Sequence, residues 1–135
     1  MYKIIITILL FSAMSFPQTY CAGEQVSLTH QNATHPVGAA YDDYQVGDDF
    51  RLADWNGELN GGEYHVIFID MSASWWGPCQ SVAPQVDELG EEFYEAGVRS
   101  LTSLSDPNQP YSTEQWQSNF GNSDTPLVID ENQSN

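Results

Sequence analysis

The stretch IDMSASWWGPCQSVAP, Ile69 to Pro84, decides how the chain is read, because two patterns of different period meet in it. Upstream, YHVIFIDM (Tyr64 to Met71) is a nearly continuous apolar run. That pattern predicts a strand buried on both faces. Downstream, Val82, Val86, Leu89 and Phe93 recur at steps of four, three and four, forming one apolar stripe of a helix. Glu88, Glu91, Glu92 and Glu95 mostly face water on that helix, and Gly97 ends it. Gly77-Pro78 makes the turn between strand and helix and starts the helix.

Further strands and helices alternate on either side. DFRLAD (Asp49 to Asp54) alternates apolar and polar residues, which predicts a short strand, and Asn56-Gly57 turns the chain after it. VRSLTSL (Val98 to Leu104) predicts the next strand and SDPNQP a loop. Ser112 with Gln115 forms a capping box opening a second helix, with Trp116 and Phe120 four apart and Gly121 closing it. TPLVID (Thr125 to Asp130) predicts a last strand. The order strand, strand, helix, strand, helix, strand predicts an α/β fold around a mostly parallel sheet.

The 135 residues fit one domain. Nineteen acidic residues against three basic ones give a formal net charge of −16. Nucleic-acid binding is excluded, because phosphate contacts need clustered Lys and Arg, and adsorption to anionic lipid is unfavourable for the same reason. A well-solvated surface accounts for the acids better than an acidic binding face does. Lys3 followed by the short apolar run Ile4 to Phe11 reads as a secretory signal over residues 1–23, too short for a membrane span. Cleavage is expected after Gly23, with Ser15 the weaker alternative. Tyr20 before Cys21 disfavours a lipoprotein anchor. The expected location is therefore periplasmic or extracellular, an oxidising compartment. Residues 24–44 read as a loose polar extension, and residues 45–135 as the domain. His30 and His35 are weak evidence for a metal site, and neither a metal nor a cofactor is expected.

Together, Ser72 to Pro84, VGDDFRLADWNGE (Val46 to Glu58) and FGNSDTPLVID (Phe120 to Asp130) resemble the thioredoxin-like fold, in particular the TlpA-like and redoxin branch of exported thiol–disulfide oxidoreductases. The first of these segments is the specific one. The resemblance implies a thioredoxin-like sheet with flanking helices. It also implies a W-C-G-P-C motif in which the first cysteine attacks a substrate disulfide and the second resolves the mixed disulfide. Here the motif reads W-W-G-P-C, and Trp76 occupies the attacking position. Cys79 holds the resolving position, where a buried sulfur is a poor nucleophile. An inert thiol packing as a small hydrophobe is the favoured reading of Cys79, and a retained redox role is the alternative. Asp70, nine residues before Cys79, matches the family's buried proton acceptor; its other reading is a strand-end acid facing water.

Trp75 and Trp76, with Gly77 and Pro78, either form an aromatic surface for an extended peptide or combine a packed Trp75 with a chance Trp76. The resemblance also implies a cis-proline, a β-hairpin and a last helix. FGNSDTPLVID matches a strand that precedes them, so the domain is expected to lack the hairpin and helix; the alternative makes Pro126 the cis-proline of a shortened domain. Such a sheet would expose unpaired edges and an apolar face. The expected function is thiol–disulfide oxidoreductase ancestry with weak or absent activity. The alternatives are a non-catalytic peptide- or protein-binding module and a fragment of a longer redoxin. The expected partner is a protein thiol or disulfide, or a peptide.

Overall fold

The computed structural model describes residues 20–121 and 127–131. The expected signal core and Pro126 lie outside them. Among the described residues, the elements are α1 (Leu28–Gln31), β1 (His35–Ala39), β2 (Asp49–Phe50), a 3-10 turn (Leu52–Trp55), α2 (Gly57–Asn60), β3 (Val66–Ala73), α3 (Gly77–Phe93), a second 3-10 turn (Tyr94–Ala96), β4 (Val98–Ser105), α4 (Thr113–Phe120) and β5 (Leu127–Asp130). No described helix is long and apolar enough to cross a membrane.

The five strands form one sheet in the order β2-β1-β5-β4-β3. β3, β4 and β5 run parallel, and β1 lies antiparallel to both β5 and β2. This mixed sheet with flanking helices is an α/β fold of the thioredoxin-like kind. Two cores sit on its two faces. Phe50, Trp55, Val37, Leu101, Leu127 and Ile129 fill one, where the Phe50 and Trp55 rings lie 4.7 Å apart. Trp116, Leu104, Ala83, Val128 and Ala39 fill the other, beneath α3 and α4.

Five sequence expectations change. The polar stretch 24–44 is not loose throughout, because it supplies β1, whose Val37 and Ala39 are buried. Its period was hidden by Pro36 and Gly38. Gly38 is needed there: a Cβ at that position would stand 2.5 Å from Thr113, whose Oγ1 donates to the Gly38 carbonyl at 2.7 Å. In DFRLAD, only Asp49 and Phe50 are in a strand. The Asp54 carboxylate accepts from the Arg51 backbone N–H and guanidinium, and this reach-back winds the next residues into the 3-10 turn. Asn56-Gly57 is no simple turn either; Asn56 caps α2 by accepting from the Glu58 N–H.

The fourth and fifth changes concern β3 and α3. The run Val66–Ala73 is a strand, but it lies at the end of the sheet order with β4 as its sole neighbour among the described residues. Val66, Phe68, Ile69 and Met71 are exposed. The expected burial on both faces is therefore wrong: the pattern found the strand but not its place in the sheet. The predicted α3 stripe is also displaced. The helix buries Ala83, Val86, Asp87 and Gly90, and leaves Val82 and Phe93 exposed. That is a rotation of about one residue, or about 100°. Small residues on the buried side, Ala83 and Gly90, let α3 settle on β4.

Candidate functional site

β3 delivers the chain to the end of the sheet, and the loop Ser74–Trp76 turns it into α3. Trp76 is the N-cap of α3, with φ −91° and ψ 111°. It makes no side-chain cap hydrogen bond, since indole offers no acceptor to the first turn. Gly77, Pro78 and Cys79 are the first three helical residues. The first-turn bond runs from the Gln80 N–H to the Trp76 carbonyl at 3.2 Å. Gly77 is open to solvent: a Cβ there would meet nothing within 4 Å.

Cys79 is half-buried and packs against the Trp116–Leu104 core. It is not in a disulfide, and neither is the exposed Cys21. Asp70 is half-buried and in register with Thr102, so it faces the α3 side of the sheet. Its Oδ2 accepts from the Ser72 hydroxyl at 2.6 Å. No described hydrogen bond joins Asp70 to Cys79. The structure thus places both residues on the helix-covered face without linking them.

The two tryptophans diverge. Trp75 is 59% exposed, and its Nε1 donates to Asp106 Oδ2 at 2.9 Å. Trp76 is 51% exposed and lines a groove of ≈ 400 Å³ with Met71, Ser103 and Glu131. Neither ring is packed in a core.

Sequence reasoning found the loop SDPNQP but missed its tie to this site. Ser74 is fully buried, and its hydroxyl points at the carbonyls of Asp106 and Gln109, 2.5 and 2.7 Å away. The loop 106–110 turns through Asp106 and Asn108 at φ 54° and 67°, a conformation Asp and Asn tolerate better than most residues. The Gln109–Pro110 bond is cis. Asp106 and Asn108, both Asx residues beside prolines, were the available signal.

Both described arginines are engaged elsewhere. Arg51 pairs with Asp54 at 2.7 Å. Arg99 is buried, stacks 3.8 Å from the Tyr94 ring centre, and donates to the Tyr94 and Val98 carbonyls. It pairs with Ile67, whereas Ala73 pairs with Ser105. Six residues of strand therefore separate it from the site end, about 20 Å. Around Arg99 the phenols are hard to ionise. Burial, reinforced by Tyr94, pushes Tyr41 up to about 12. Burial and the neighbouring Asp54 carboxylate raise Tyr44 as well.

With this geometry in view, two curated relatives are thioredoxins. The chain is 38% identical over 48 residues to the thioredoxin of Pyropia yezoensis, covering 36% of this chain and 44% of that protein. It is 42% identical over 41 residues to the thioredoxin of Geodia cydonium, covering 30% of this chain and 39% of that protein. The chain therefore spans less than half the length of these relatives. No family model and no solved structure matches it. The relatives agree with the thioredoxin-like fold.

Proposed function

We propose that this is an exported thioredoxin-like protein of the TlpA-like or redoxin branch, whose dithiol exchange is weak or absent. The observation that carries the reading is Trp76 at the N-cap of α3, where the attacking sulfur would sit. Exchange requires an accessible thiolate to attack a disulfide sulfur and expel the other sulfur as a thiolate. A second thiol must then close on the mixed disulfide. Cys79 lies one turn inside, against the core, with no second sulfur bonded to it.

The test is reduction of insulin by the purified mature protein, with dithiothreitol supplying the two electrons. The native chain is expected to match the uncatalysed rate. Trp76→Cys is expected to exceed it by at least about ten-fold, since it restores an attacking thiol at a helix N-terminus. Robust native turnover would overturn the proposal. Export is tested by N-terminal sequencing of the secreted product, expected to begin at Glu24.

A second reading, a peptide-binding module, is favoured by the exposure of both Trp75 and Trp76. Peptide affinity that survives Cys79→Ser but falls with Trp76→Ala supports it; affinity unchanged by Trp76→Ala opposes it.

A further inference from the structure

Arg99 lies at the end of β4 opposite Trp76, and its hydrogen bonding is unfinished. It is 9% exposed, and burying a guanidinium is costly unless a counter-charge and hydrogen bonds replace its water. Its Nη1 donates to the Tyr94 and Val98 carbonyls at 3.0 Å each, and its Cζ stacks on the Tyr94 ring. Among the described residues, no carboxylate pairs with it, and Nε and Nη2 have no acceptor. A second unmet group lines the same cavity. The His65 side chain is 8% exposed, and its Nδ1 has no hydrogen-bond partner among the described residues. The cavity that Arg99 and His65 share measures ≈ 340 Å³, a size that suits a small ligand.

The rim of this cavity carries the opposite charge. Asp42, Asp43 and Glu63 are exposed and line it as well. Asp43 has no hydrogen-bond or ion-pair partner among the described residues. Asp42 Oδ2 accepts from the Tyr94 hydroxyl at 3.0 Å, and Glu63 Oε1 stands 3.6 Å from His65 Nε2, so neither contact brings a permanent cation. Asp54 lines the cavity too, but Arg51 neutralises it at 2.7 Å. Three unmatched carboxylates against one unmatched guanidinium leave negative charge in excess. That balance selects the ligand. A simple anion is repelled by the rim, and a simple amine leaves Arg99 unmet. A molecule with one carboxylate and two ammonium groups satisfies both.

We propose that this cavity binds a free diamino acid of the lysine or ornithine type. Its carboxylate accepts from Nε and Nη2 of Arg99, the planar edge that suits a two-oxygen acceptor. Its ammonium groups meet Asp43, Asp42 and Glu63 at the rim. The cavity is built by residues between 42 and 99, about 20 Å of strand away from Trp76. This binding is independent of any redox role of Cys79.

The experiment titrates the full chain with free lysine, norleucine and 1,5-diaminopentane, read by calorimetry and by the His65 ring signals in NMR. Norleucine lacks the side-chain ammonium, and 1,5-diaminopentane lacks the carboxylate. Lysine is expected to bind saturably and to move the His65 signals. Each of the other two is expected to bind at least about ten-fold more weakly, because it leaves one charged wall unmet. The preference for lysine over norleucine is expected to shrink with added salt. Asp43→Asn combined with Glu63→Gln, at two exposed side chains, is expected to fold by circular dichroism and to lose lysine affinity at least about ten-fold. Four results would overturn the proposal: no saturable lysine binding; 1,5-diaminopentane as tight as lysine, which would reduce the cavity to an acidic rim; norleucine as tight as lysine; or full lysine affinity in the double variant.

Discussion

β3 and β4 are both eight residues long, lie side by side and pair in parallel register from end to end. β3, VIFIDMSA, has six apolar residues; β4, VRSLTSLS, has three. Yet six consecutive residues of β4 are buried, and one residue of β3 is. Burial here follows from neighbours rather than composition. β4 has a strand on each side, α3 above it and the Phe50–Leu101 core below, so even Ser100 and Thr102 are enclosed. β3 has β4 on one side, and its apolar side chains reach past the cover. A residue's own hydrophobicity sets what burial is worth, and the topology sets whether it occurs.

The comparison can be broken most readily at Leu104, which is fully buried in β4. Leu104→Ala is expected to cost about 2–5 kcal/mol, read as a lower urea midpoint at unchanged slope. The next largest effect is at the Arg99 end of β4. Tyr41 has a folded pKa of about 12 against an ordinary 10. Its contribution is fully present below pH 10 and is lost as pH rises through 12. Tyr44 is raised too, so the urea midpoint is expected to fall between pH 10 and 12 while tyrosinate absorbance lags behind that of the unfolded chain. Tyr41→Phe is expected to flatten that fall. It is also expected to cost little at neutral pH, since the buried Tyr41 hydroxyl has no hydrogen-bond partner among the described residues.

A smaller loss is expected from Ser112→Ala. Ser112 accepts from the Gln115 N–H while Gln115 Oε1 accepts from the Ser112 N–H, so the substitution opens the capping box of a helix whose Trp116 covers the β4 side. About 1 kcal/mol is expected by thermal melting. The smallest effect is at Met71 in β3, where Met71→Ala should stay within about 0.5 kcal/mol because the side chain is already 81% exposed. A Met71→Ala loss as large as that of Leu104→Ala would mean that β3 is covered in solution.

The contrast also marks how far the sequence could be read. Periodicity found β3, α3, β4 and β5, and the Ser112–Gln115 pair located the start of α4. The α/β class followed from the alternating order of strands and helices, and the strand-to-helix placement of Trp76 and Cys79 from the W-W-G-P-C stretch. β1 was missed because Pro36 and Gly38 break its pattern, and its partner β5 lies about ninety residues away. The exposure of β3 could not be read from its own residues, because an apolar run looks the same with two neighbours or one. Long-range ties such as Ser74 to Asp106 and Gln109 leave no local trace: a serine in a loop has many roles.

That serine has a further consequence. One hydroxyl carries one hydrogen, and two carbonyls from the far loop wait for it. The two loops are therefore fastened at a single swivelling point, with the Trp75–Asp106 bond as a second strut. A molecule that pushed on Trp75 would pull on residues 106–109 as well. The loop before α3 and the loop after β4 are thus built to move as one part.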